Sequence, residues 1–283
     1  MQRNWKYGIM RKIPYHARLP ERKKSMKKRI SYICFRIIRW LVWLFYPKTT
    51  IEGAHFLPKD PCIVVGNHTQ MNGPICGELY FPGKRKIWCA AQMMHTKEVP
   101  AYAFEDFWSG KPKWTHWFYR ILSYVIAPVS SCVFNNAYTI PVYHDNRLMT
   151  TFKRTIAALE DGANVIIFPE HYEPYNNIIN QFQDRFIDIA KIYYKRTGKE
   201  LWFVPMYIAP KLKKVCIGKP VRFQAEAPMD QERTRICSYL MEEITEIAVK
   251  LPRHVVVPYA NVSPKNYPFN ISGEVTEDEK ARG

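Results

Sequence analysis

The stretch "TIPVYHDNRLMTTFKRTIAALEDGANVIIFPE", residues 139–170, decides the fold. It opens on a β-branched run, "TIPVYH", that reads as a strand. The next segment places Leu148, Phe152, Ile156 and Leu159 on one helical stripe, a spacing that buries one side of a helix. Asp145 or Asn146 can cap its start and Gly162 can end it. "NVIIFPE" then reads as a second strand, apolar on both faces. Strand and helix alternating in this way imply a parallel sheet with helices on its faces.

The same alternation continues outward. A helix is expected near 179–196, carrying Phe182, Phe186, Ile189 and Tyr193 and closing near Gly198. "LWFVPMYI" (201–208) is a further strand, "KVCIGKPVRF" an edge pair, and 229–250 a long terminal helix. Upstream, "TTIEGAHFLP" (49–58) reads as a short strand and turn leading into "CIVVGNHTQMNGPI" (62–75), in which Cys62 to Val65 is a fully buried strand. The fold class expected is α/β, a mostly parallel central sheet flanked by helices. Between the first two buried strands lies a long stretch rich in aromatic residues and proline, 76–138. The reading places no strand there; its apolar part, 117–134, reads as a core helix or a membrane-facing segment interrupted by Pro128.

The 283-residue chain carries 42 Lys and Arg against 25 Asp and Glu, a net charge of +17. Residues 1–39 hold 13 of those cations and one acid, Glu21. Residues 1–28, without apolar periodicity, are expected to be poorly ordered. "ISYICFRIIRWLVWLFYP" (30–47) is apolar and aromatic but broken by Arg36 and Arg39. A span needs about 20 apolar residues with few charges. An amphipathic helix lying on an anionic membrane surface fits better. Because the basic run is terminal and joined to an apolar helix, no nucleic-acid partner is expected. The apolar part starts late and no small-residue cleavage site follows it, which argues against a secretory signal. Seven scattered cysteines without a CxxC pair fit a reducing compartment.

In an open parallel sheet, function collects at the carboxyl ends of the strands. Three such ends carry polar residues: Asn67 and His68, His144 and Asp145, Glu170 and His171. Histidine is the natural base for taking a proton from an alcohol or amine, because its pKa lies near working pH. A carboxylate usually fixes its tautomer. The same residue types, His68, His144, His171 and Glu170 with Asp145, would also serve a metal-dependent hydrolase, although no HExxH or CxxC spacing supports one.

"VVGNHTQMNGPI", "TIPVYHDNRLMTTFKRTIAALEDGANVIIFPEHYEP" and "FVPMYI" together resemble the ordered sequence blocks of the PlsC-like glycerolipid (lysophospholipid) acyltransferase superfamily, over roughly residues 50–223. That family's first block is Asn-His, four residues, then Asp; its third is Phe-Pro-Glu-Gly-Thr-Arg. The resemblance implies acyl transfer without a covalent intermediate: His68 as base, Glu170 as the third-block glutamate, and Asn67, Asn72, Gly73, His144, Asp145, Pro169 and His171 as substrate-binding positions. It implies acyl-CoA or an acyl-carrier protein as donor, a lipid acceptor, no cofactor, and a peripheral membrane protein on the cytoplasmic face. Residues 1–48 would form the basic membrane-associating segment, 49–260 the catalytic domain and 261–283 a tail.

The chain departs from the family in two places. Gly73 stands where the histidine's acid belongs, and the phosphate-binding arginines are replaced by His144 and by the "HYE" of the third block. Neutralising the orienting acid of a serine-protease triad costs about four orders of magnitude in turnover. Glu170 is the first choice as its substitute, with Asp145, Glu173 and Glu78 behind it. Without those arginines a glycolipid, neutral alcohol or amine becomes a better acceptor than a lysophosphatidic acid. The alternative is an inactive relative that binds lipid or acyl carrier.

Overall fold

The computed structural model describes residues 21–143 and 145–271. Helix α1 (Glu21–Phe45) leads to the short strand β1 (Thr50–Glu52) and then to β2 (Ile63–Gly66), whose residues are all buried. Helix α2 (Asn72–Leu79) follows, then strand β3 (Arg85–Ala90), the short helix α3 (Val99–Ala103) and the long helix α4 (His116–Asn136). Strand β4 (Thr139–Val142), helix α5 (Leu148–Glu160) and strand β5 (Asn164–Ile167) are the strand, helix and strand read from the sequence. Strands β6 (Glu170–Pro174) and β7 (Asn180–Phe182), helix α6 (Asp188–Thr197), strands β8 (Trp202–Ala209), β9 (Lys214–Ile217) and β10 (Val221–Arg222), and helix α7 (Met229–Lys250) complete the chain.

The main sheet runs β1-β9-β8-β2-β5-β3-β4, with β10 pairing antiparallel to β8. From β8 to β4 every neighbouring pair is parallel, so those carboxyl ends open on one edge. Strand β8 pairs antiparallel with β9 as well as with β10, and β1 pairs parallel with β9. The pleat sorts residues between two layers. Ile63 and Val65 face α5, α6 and α7 in the larger core, while Val64 and Cys62 face Cys76 of α2 and Phe81 in the smaller one.

Three expectations fail. The helix expected from 179 begins only at Asp188, because Glu170–Pro174 and Asn180–Phe182 pair as a hairpin. Asn176 nucleates its turn, its side-chain oxygen accepting from the N–H groups of Ile178 and Ile179 at 2.8 and 3.0 Å. The 76–138 stretch contributes a strand, β3, inserted between β5 and β4. That insertion separates β4 from β5 and leaves β4 at the sheet edge. Pro128 does not end α4, which runs 21 residues through it. Among the described residues, Lys113–Asn136 alone is helical, long and apolar enough to cross a membrane by length and composition.

Candidate active site

The carboxyl ends of β2 and β5 lie side by side because those strands pair directly. The chain leaves β2 through Asn67, whose side chain is wholly used by the next strand. Its amide N–H donates to the Ile208 carbonyl at 3.0 Å, and its oxygen accepts the Ile208 N–H at 2.7 Å. Asn67 therefore ties the exit of β2 to β8 and leaves His68 facing the crevice. The turn beyond is strained: Thr69 and Gln70 both sit in the left-handed region, at φ 45° and 55°. Each such non-glycine residue costs on the order of 1–3 kcal/mol and persists only where its surroundings enforce it. Asn72 and Gly73 supply that enforcement. The Asn72 side chain donates to Thr69 O at 3.0 Å, and the Gly73 N–H donates to His68 O at 3.0 Å.

Gly73 is required by space. A Cβ there would lie 2.4 Å from the His68 carbonyl oxygen and 3.0 Å from the Phe168 ring. The position that would carry the family's acid is thus closed to any side chain. Accordingly, His68 Nδ1 is buried and makes no hydrogen bond among the described residues. Burial pushes the imidazole pKa down to about 4, opposed by the Gln70 backbone, which favours the protonated ring without reaching hydrogen-bond geometry at Nδ1. The ring is held by packing instead. Phe168 and Tyr259 meet it edge-on, at centroid distances of 5.4 and 5.7 Å.

Glu170 reaches the same turn by its main chain. Oε2 accepts the His68 backbone N–H at 2.6 Å, and Oε1 accepts the Asn180 N–H at 2.9 Å. Burial raises its pKa to about 7 despite both bonds. The carboxylate grips the backbone that carries His68, not the imidazole.

The other named acids lie elsewhere. Asp145 is exposed and paired with Arg147 at 2.7 Å, which holds its carboxyl down at about 2. Glu78 is paired with Arg39 at 2.9 Å and lies 3.8 Å from Arg85. Glu173 is exposed, and its N–H donates to His171 Nδ1 at 3.3 Å. His144 lies outside the described residues. Among the described residues no three His, Cys, Asp or Glu side chains gather to hold a metal ion.

Two cavities meet at His68. One is an open cleft of about 480 Å³ bordered by Pro169, Glu170, Tyr172, Arg185, Tyr259 and Asn261. The other is a narrow apolar slot of about 200 Å³ between α1, α2, β3 and α4, lined by Phe35, Val42, Ile75, Leu79 and Phe134. His68, Trp88, Tyr102 and Asp106 border both. Asn67, Asn72, Gly73, Asp145 and His171 border neither, so of the expected substrate-binding positions the structure brings Pro169 to the cleft beside His68 and Glu170.

Residues the sequence did not point to supply much of the wall. Tyr102 and Asp106 come from the long stretch before β4, and Arg185 from the turn before α6. Tyr259 and Asn261 come from the segment after α7. That segment is fastened to the strained turn, since Gln70 Nε2 donates to Ala260 O at 3.3 Å and to the Tyr267 hydroxyl at 2.9 Å. An Asn-rich, Pro-bounded stretch after a terminal helix carries no periodic signal that would have located it.

No family model matches this chain. No curated protein matches it either. Among solved structures it is similar to the crystal structure of the 1-acyl-sn-glycerophosphate (LPA) acyltransferase PlsC from Thermotoga maritima, at 17% sequence identity and a TM-score of 0.44, over 84% of this chain and 86% of that one. The functional reading therefore stands on the geometry of the site.

Proposed function

We propose that the protein is an acyltransferase that moves a fatty acyl chain from a thioester to a lipid hydroxyl or amine, with His68 as general base. The observation that carries this reading is the place of His68 where the apolar slot joins the open cleft. An acyl chain lies in the slot, which puts its thioester carbonyl at the imidazole. The acceptor enters the cleft. His68 takes the acceptor proton as oxygen or nitrogen attacks the carbonyl. The new C–O or C–N bond forms, the C–S bond breaks, and the imidazolium returns its proton to the departing thiolate. Acyl-CoA and an acyl-carrier protein both offer such a thioester.

In this reading Glu170 is a positioning residue. It fixes the main chain at His68, and the surrounding rings fix the imidazole, in place of an acid at position 73.

A membrane-surface location completes the proposal. Helices α1 and α4 pack together, with Asn136 donating to the Ser31 hydroxyl at 2.7 Å. Between them they expose Ile33, Ile37, Trp40, Trp117, Ile121 and Val125. Lys27, Lys28, Arg29 and Arg36 on α1 suit an anionic cytoplasmic leaflet. The slot opens among these same two helices, so a chain would pass from lipid to His68 without crossing water.

A second reading keeps the binding and drops the chemistry. The lone Nδ1 and the depressed pKa of His68 favour it, because an imidazole at about 4 is a weak base. Lipid profiles of cells carrying the wild type or His68→Ala separate the two. Loss of an acylated lipid class in the variant is expected for the enzyme. An unchanged profile at equal expression supports the binding protein.

A further inference from the structure

The acid that borders both cavities, Asp106, has no side-chain partner among the described residues. Asp106 lies in the π-helical turn Phe104–Trp108, where irregular helix often marks a working residue. Its backbone carbonyl is held by Asn261 at 2.9 Å. Its carboxylate makes no hydrogen bond or ion pair among the described residues, although it is half-buried and burial raises its pKa. A half-buried acid that faces a cleft is available to a ligand's hydroxyl donors.

Around it stand phenols. Tyr102, Tyr172 and Tyr259 border the same cleft, and their hydroxyls accept or donate no hydrogen bond among the described residues. Tyr172 meets Tyr259 edge-on at 5.6 Å, and Tyr259 in turn meets His68. The phenols lie near enough to the acids that Asp106 adds to the burial holding Tyr102 above its ordinary range, and Asp106 and Glu170 do the same for Tyr259, pushed up to about 12. Tyr102 and Tyr259 stay neutral and act as hydrogen-bonding groups. Arg185 is the one Lys or Arg lining the cleft among the described residues, and it is exposed.

From this arrangement we infer that the cleft beside His68 is an acceptor-headgroup subsite for an uncharged polyhydroxylated group, a sugar or polyol, whose hydroxyls donate to Asp106 and pair with Tyr102, Tyr172 and Tyr259. The inference rests on the acyl-transfer reading and narrows it. Amphipathic tyrosine rings offer an apolar face to the C–H side of such a headgroup and a hydroxyl to its edge. A phosphate would instead face the Asp106 carboxylate with one exposed arginine to offset it, and like charges at short range repel. A protonated amine would satisfy Asp106 but leave the three phenols unpaired.

Binding separates this inference from catalysis. The full chain, wild type and His68→Ala, is titrated calorimetrically with octyl glucoside, octyl phosphate and octylamine, which share one chain and differ in headgroup. Octyl glucoside is expected to bind at least tenfold more tightly than octyl phosphate to both proteins. Asp106→Asn should erase most of that preference, and Tyr259→Phe should weaken glucoside binding several-fold while leaving octyl phosphate unchanged. Tighter binding of octyl phosphate or octylamine overturns the subsite, as does a glucoside preference that survives both substitutions. Absence of acyl transfer by the wild type with glucoside binding intact contradicts the enzyme reading and leaves the subsite standing.

Discussion

The backbone N–H of His68 and the carboxylate of Glu170 are joined at 2.6 Å, across the tips of two adjacent parallel strands. Glu170 therefore acts on the histidine through the chain that carries it. Its second oxygen holds Asn180 of the β6–β7 hairpin, so one buried group ties the exit of β2 to that hairpin.

Glu170→Gln is expected to weaken both the fold and the activity. An amide presents one acceptor and one donor, so either the His68 or the Asn180 N–H is left facing an NH₂ group. A buried donor left unsatisfied costs about 1–3 kcal/mol. Urea unfolding should show that loss, and turnover should fall with it. Full activity in the variant rules out an essential role for the charge.

Stability should carry two opposed pH dependences. Glu170 has its pKa raised by burial to about 7, so between pH 4.5 and 7 the folded chain retains a proton the unfolded chain has released. Its contribution is present at low pH and is lost as pH rises. His68 has its pKa lowered by burial to about 4, so between pH 4 and 6.5 the unfolded chain binds a proton the folded chain refuses. Its contribution is present above that window and is lost as pH falls. Each is worth on the order of 3 kcal/mol across its window, and in the wild type they nearly cancel. Glu170→Gln should leave stability climbing with pH from 4 to 6.5; His68→Gln should leave it falling from 4.5 to 7. Parallel profiles for the wild type and both variants would count against these environments.

Restoring the family's acid should not restore a triad. Gly73→Asp brings a Cβ within 2.4 Å of His68 O, a backbone atom that moves only with the turn. Gly73→Ala and Gly73→Asp should both destabilise by roughly 1–3 kcal/mol, as overpacking does. They should also lower activity together. A gain of activity in Gly73→Asp alone contradicts the account of position 73.

Vesicle binding should depend on both exposed helices. Ile121→Glu on α4 and Ile33→Glu on α1 alter side chains 57% exposed in each case, so unfolding midpoints should barely move. Burying such a side chain in lipid is worth about 1.5–3 kcal/mol. Each variant should therefore bind anionic vesicles about tenfold or more weakly in a sedimentation assay, and raised salt should weaken the wild type further. Binding unchanged in Ile121→Glu would remove α4 from the membrane face.

The sequence made the central strand, helix and strand legible because strand and helix periods differ so plainly between 139 and 170. Cys62–Val65 was legible for the same reason: a run apolar at every position can only be buried on both faces. Strand β3 was hidden by Arg85, Lys86 and the small residues Cys89 and Ala90, which dilute a six-residue run. The β6–β7 hairpin was hidden because Ile178, Ile179 and Phe182 are core residues that also fit a helical stripe. At the site, the adjacency of His68 and Glu170 followed from strand order once β2 and β5 paired. Their actual contact, side chain to backbone, could not be read from residue types. Nor could Tyr102, Asp106 and Tyr259, which reach the cleft from segments remote in sequence and without periodicity.

The central claim is that His68 transfers an acyl group. Its most direct test follows acyl-labelled palmitoyl-CoA and palmitoyl-acyl-carrier protein, each incubated with the purified full chain on vesicles of a total lipid extract. The account predicts that label passes from a thioester into a lipid, and that His68→Ala slows this transfer by a factor of about 10²–10⁴, the contribution of a positioned general base. Label remaining on both thioesters with the wild type, or moving equally fast with His68→Ala, contradicts it.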